Sequence, residues 1–174
     1  MKKLLIPILF SGTLVMIIVM SKTSTTLKTA ATPLGILNLE FASTQSKTSI
    51  ITKAWAPNNT INNISAAKNN TYLDFVFLFF YSLFLFFTCK KIAVINNNKM
   101  GVLIAKGALA AGLLDILENT GMLITLSGRT SDNIALFTSV CSVTKWALAT
   151  IALIYFIGGL IQLMGNKKLQ MLLA

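Results

Sequence analysis

The chain has 174 residues, of which 55% are hydrophobic and only 11% charged. A soluble domain carries about 25% charged residues, so long apolar runs with this deficit indicate the membrane class and leave no room for a second large domain. The net charge of +10 does not point to nucleic acid: the lysines lie scattered between apolar runs, a pattern that positive-inside topology and anionic lipid explain.

The first predicted span is Leu4 to Met20, behind Lys2 and Lys3. A basic start and an apolar stretch also describe a signal peptide. The stretch is long for one, and Ser21-Lys22-Thr23-Ser24 offers no small-residue cleavage site. An uncleaved signal anchor over 1–21 is the favoured reading, with cleavage the alternative. Pro7 falls in the first turns, where proline is best tolerated.

Residues 22–71 are polar and form an expected extracytoplasmic loop. An amphipathic helix is predicted at about 43–55, with Ile50, Ile51, Ala54 and Trp55 clustered on one face. Trp55 suits a membrane interface, and Pro57 ends the element. The run NNTINNISAAKNN at 58–70 reads as a flexible linker. Its N-x-S/T matches at Asn58, Asn63 and Asn69 read as chance hits in an Asn-rich stretch.

Residues 72–164 are expected to hold three further spans. The second runs from Tyr72 to Phe87 or as far as Ile95, dense in phenylalanines that face lipid or core. The third covers Val102 to Leu126, and the fourth Ile134 to Met164. Each exceeds or approaches the ~20 residues that cross a ~30 Å hydrocarbon core. Lys2, Lys3, Lys90, Lys91, Lys99, Lys167 and Lys168 fall on one side, which makes it cytoplasmic. The topology is then N-in and C-in, with a cytoplasmic tail at 165–174. The fold class is all-α, an up-down four-helix transmembrane bundle with one outer-side loop helix.

Histidine is absent, which removes the usual haem ligand and the commonest zinc ligand and general base. Cys89 and Cys141 form no CxxC pair and read as small apolar residues. No cofactor is implied. The five acids are Glu40, Asp74, Asp115, Glu118 and Asp132. Asp115 and Glu118 lie deep in the third span, where a carboxylate is costly and needs a partner, a cavity or a functional path. Their i,i+3 spacing and Asn119 at i+4 put all three on one face. Ala108, Ala111 and Gly112 on the preceding turns permit close helix approach, so the patch is expected to face inward. Asp74 opens the second span, and Tyr81 lies two turns deeper on the same face. Lys145 is the candidate countercharge. If the fourth span starts at Ile134, Lys145 lies about 16 Å deep, level with Asp115. If the buried stretch starts at Trp146, it is an interfacial anchor instead. Lys106 can snorkel.

Three patches together resemble a family of small, uncharacterised four-span bacterial membrane proteins. They are TPLGILNLEFASTQSKTSIITKAW at 32–55, YLDFVFLFFYSLF at 72–84, and LLDILENTGML at 113–123 followed by Lys145. The matching positions are Pro33, Gly35, Glu40, Trp55, Asp74, Asp115, Glu118 and Asn119. The resemblance implies that Glu40 and Asp74 join the membrane patch and that the loop folds back over the bundle. It implies no activity. The Asn- and Lys-rich composition also suggests a bacterium, and hence its inner membrane.

A ligand or ion site is therefore expected at Asp115, Glu118, Asn119, Asp74, Glu40, Lys145 and Tyr81, with no catalytic residue assigned. Two carboxylates against one lysine leave a surplus negative charge for a proton, a cation or a polar ligand. A plainer reading is a polar clamp that specifies helix pairing. Two further readings are an accessory subunit that docks a partner helix and an enzyme with a carboxylate-bound metal acting on lipid. No nucleophile–base pair, phosphate loop or zincin motif supports the last. The expected partners are the lipid bilayer and a membrane-protein partner or a second copy, with no nucleic acid.

Overall fold

A computed structural model of the chain describes residues 2–56 and 63–165, and only the backbone of Lys2, Lys3 and Leu163. Among these residues every regular element is a helix. The long ones are α1 (Lys2–Thr23), α4 (Asn63–Ile95), α5 (Lys99–Leu126) and α6 (Asp132–Gly165). All four are long and apolar enough to cross a membrane. Between α1 and α4 lie a 3-10 turn (Thr25–Leu27) and two short helices, α2 (Leu37–Glu40) and α3 (Gln45–Ala54).

α4 is the hub, packed against α1, α5 and α6, while α5 also packs on α6. Small residues make the α4–α5 approach close. Ala105, Ala108 and Ala111 are fully buried, and a Cβ on Gly112 would meet Ser82 at 2.8 Å. The helices come together through residue pairs such as Met20 with Asn70, Phe10 with Phe84 and Phe84 with Phe156. Most of α1 outside this seam is exposed and apolar, including Leu4, Ile8, Val15 and Ile18.

The described residues form two apolar cores. One joins Leu9, Leu78, Phe84, Cys89, Ala108 and Ala152 between the long helices. The other joins Leu27, Leu39, Ile51 and Trp55 of the inter-helix segment to Ala67, Met122 and Leu126 at the ends of α4 and α5. The segment is therefore a folded cap. Thr44 caps α3 by accepting from the Lys47 amide. Asp132 Oδ1 accepts the Gln45 amide at 2.7 Å, and Thr48 pairs with Thr130, which ties α3 to the turn before α6. Gly35 adopts φ +62°, a left-handed conformation that costs glycine least.

The structure corrects four expectations. The linker over 58–70 is helical from Asn63 onward, and Ala67, Asn70 and Thr71 are buried. A helix of 33 residues is about 50 Å long, more than a ~30 Å hydrocarbon core needs, and its first turns pack into the cap through Ala67. The helix that carries the second predicted span thus begins at Asn63 rather than Tyr72. Trp55 is not at an interface: it is fully buried, and its Nε1 donates to Leu27 O at 3.0 Å and Thr32 Oγ1 at 3.2 Å. On α3 the buried positions are Thr48 and Ile51, while Ile50 is exposed. The expected roles of Pro57 and Asn58 and the tail beyond Gly165 lie outside the described residues.

Candidate functional site

Along α5 a polar layer separates the two cores. Ala105 and Ala108 belong to the first core, Asp115, Glu118 and Asn119 follow, and Met122 and Leu126 belong to the second. The 3.6-residue period sets Asp115, Glu118 and Asn119 on one stripe, and all three are essentially without solvent exposure. The stripe faces α4 and α6.

The cluster centres on Lys145 of α6, which is 6% exposed. Its Nζ lies 2.6 Å from Asp115 Oδ1 and 2.8 Å from Glu118 Oε2, with Glu40 Oε2 at 3.8 Å. The contact to Asp115 is a charge-assisted hydrogen bond. The one to Glu118 has ion-pair distance without hydrogen-bond alignment. Tyr81 Oη donates to the other oxygen of Asp115 at 2.8 Å, and Asn119 Nδ2 donates to Asp74 Oδ2 at 2.9 Å. Asp115 is thus held from both neighbouring helices, while Asp74 joins the cluster through Asn119.

Glu40 arrives from the cap. It ends the single turn of α2 and is buried. Its Oε2 accepts from Trp146 Nε1 at 3.1 Å and from Ser142 Oγ at 3.3 Å. The Lys145 ammonium also lies 5.8 Å from the centre of the Trp146 ring. The structure therefore brings all seven sequence-predicted residues into one cluster. Of the two placements open for Lys145, the structure shows the contact with Asp115.

Sequence reasoning missed Ser142 and Trp146. Ser142 precedes Lys145 by three residues and is fully buried, so the i,i+3 rule on α6 was the signal available. Trp146, next to Lys145 in the sequence, carried none.

The chemistry follows from the charge count. Glu40, Asp74, Asp115 and Glu118 carry up to four negative charges, against one positive charge on Lys145. Burying charge is expensive unless it is paired and hydrogen-bonded. Glu118 Oε1 and Asn119 Oδ1 are buried acceptors without a hydrogen-bond partner, so the cluster has acceptor capacity left over. Among the described residues no group of three His, Cys, Asp or Glu side chains is placed to hold a metal ion. The ammonium of Lys145 occupies the point at which the carboxylates converge. Cys89 and Cys141 are unpaired thiols, both buried.

The chain matches no family model, no curated protein and no solved structure in comparisons with each.

Proposed function

We propose that the chain is a polytopic protein of the bacterial inner membrane. Its carboxylate–lysine cluster takes up and releases a proton or small cation. The observation that carries this reading is the buried Lys145 ammonium, 2.6 Å from Asp115 and 2.8 Å from Glu118, with Glu40 and Asp74 as surplus acids. Ionisable groups held within a membrane mark proton and ion paths more often than packing. Here acids outnumber the internal cation. A proton or monovalent cation is the smallest species that reduces the excess, and it suits a site whose centre an ammonium already fills.

The membrane assignment rests on the four long apolar helices and the apolar side chains they expose. An up-down-up-down order is supported by the pairing. Residue numbers rise on one neighbour as they fall on the next, as in Asp74 with Asn119 and Ser82 with Gly112, or Asp115 with Lys145 and Gly121 with Thr138. The lysine distribution favours N-in and C-in with the cap outside, α1 then being an uncleaved signal anchor. The resemblance to small four-span bacterial proteins belongs to the same proposal. Glu40 rides on the cap and the other acids on the long helices, so movement of the cap is the natural way to open the cluster. The inward placement of the cluster weighs against its serving as a docking face for a partner helix.

The test is a flux assay in proteoliposomes with a trapped pH indicator and an imposed potential, repeated with sodium and potassium gradients. The wild type is compared with an Asp115→Asn/Glu118→Gln/Lys145→Met triple variant, which removes Lys145 together with the two acids nearest to it. Flux or ion binding lost in the inserted, folded triple variant supports the site. Equal behaviour of the two proteins makes the cluster a structural clamp.

A further inference from the structure

The geometry points to a second site, for an anionic phospholipid, in a crevice between α1, α4 and α6 at the end of the helices opposite the cap. It rests on the membrane-spanning reading above but not on the carboxylate cluster. The two helices α1 and α6 both pack on α4 yet barely touch each other, which leaves a V-shaped gap. Its floor is aromatic: Phe84 meets Phe10 at a centroid distance of 5.3 Å and Phe156 at 5.1 Å. Pro7 and Leu160 line its walls, and its volume is about 470 Å³, within the range of small-molecule sites. Apart from one lysine at its edge, and Thr88, whose hydroxyl donates back to Phe84 O, the lining is apolar.

That lysine is Lys91, which makes no ion pair among the described residues. Among the described residues every ion pair is made by Lys145. All five acids lie toward the cap or in the polar layer. Asp115, the deepest acid, bonds Tyr81, ten residues and about 15 Å along α4 from Lys91. Lys90 lies beside Lys91, its ammonium 5.5 Å from the Phe86 ring centre. An apolar crevice lined along α4 from Phe84 to Ile95, about 16 Å, with the exposed Lys91 in its lining, is complementary to a lipid whose headgroup carries a phosphate and a net negative charge. Basic pockets between membrane helices on the cytoplasmic side bind such headgroups, and the lysine rule puts this end there. A zwitterionic lipid would fill the crevice equally well but would leave Lys91 unmatched.

The experiment is native mass spectrometry of the full chain released from nanodiscs of mixed phosphatidylglycerol and phosphatidylcholine. The wild type is expected to retain one phosphatidylglycerol. Lys91→Ala should lower its retention about fivefold, the worth of one lysine near an anionic surface. Leu160→Trp, which fills the crevice from a partly exposed position, should abolish retention. Lys99→Ala, at the start of α5 and outside the crevice lining, should not change it. Equal retention of both lipids, or indifference to Lys91→Ala and Leu160→Trp, overturns the site and leaves only annular lipid. A dimer that buries the crevice also overturns it. A protein that inserts and shows no lipid preference refutes this site alone, whereas one that fails to enter bilayers refutes the membrane reading as well.

Discussion

Removing Lys145 tests the cluster most directly. Methionine matches the lysine stem in length and flexibility but leaves Asp115 and Glu118 facing each other, buried and without a cation. In the wild type, Nζ is 2.6 Å from one and 2.8 Å from the other, and Lys145 is 6% exposed, so water cannot stand in for it. Removing one partner of a buried pair costs about 3–5 kcal/mol, roughly two to nearly four powers of ten in the unfolding equilibrium. Glu40 adds little to this loss because Ser142 and Trp146 still hold it. The triple variant Asp115→Asn/Glu118→Gln/Lys145→Met removes the charges together and should fall within ~1–2 kcal/mol of the wild type, since neutral replacement of a buried ion pair is often tolerated. The assay is reversible unfolding in mixed micelles with increasing denaturing detergent, followed by circular dichroism. A Lys145→Met protein within about 1 kcal/mol of the wild type, or a triple variant as unstable as the single one, would refute the argument that Lys145 neutralises these acids.

Two further substitutions probe the frame around the cluster. Gly112→Val should separate α4 from α5, because even a Cβ at this position meets Ser82 at 2.8 Å. A cost of about 1–3 kcal/mol is expected, and Ser82→Gly should restore part of it in the same unfolding assay; no rescue would show that the Ser82 contact is not the cause. Trp55→Phe deletes the donor to Leu27 O and Thr32 Oγ1 at a cost of ~1–2 kcal/mol. Its effect should appear as faster proteolysis within 24–56 while α4 to α6 stay protected, and uniform loss of protection would refute a separately packed cap.

Much of the architecture was legible in the amino-acid sequence. Four apolar stretches announce four long helices, because helix length and hydropathy are local properties of the chain. The i,i+3,i+4 spacing of Asp115, Glu118 and Asn119 set them on one stripe, and the small residues before them indicated which face could be approached closely. Tertiary contacts decided the rest. The partner of Lys145 was open between two depths until α5 and α6 were brought into register. Glu40 reaches Ser142 and Trp146 across sequence separations of 102 and 106 residues, and no local pattern encodes such a pairing. The polar residues 63–70, part of the stretch 58–70, looked like linker because their composition lacks hydrophobic periodicity. They are helical because Ala67 and Asn70 find partners in Trp55 and the end of α1. Trp55 looked interfacial for the same reason: an amphipathic side chain suits lipid headgroups or a packed cap equally well, and only the fold of residues 24–56 back onto α4 and α5 chose between them.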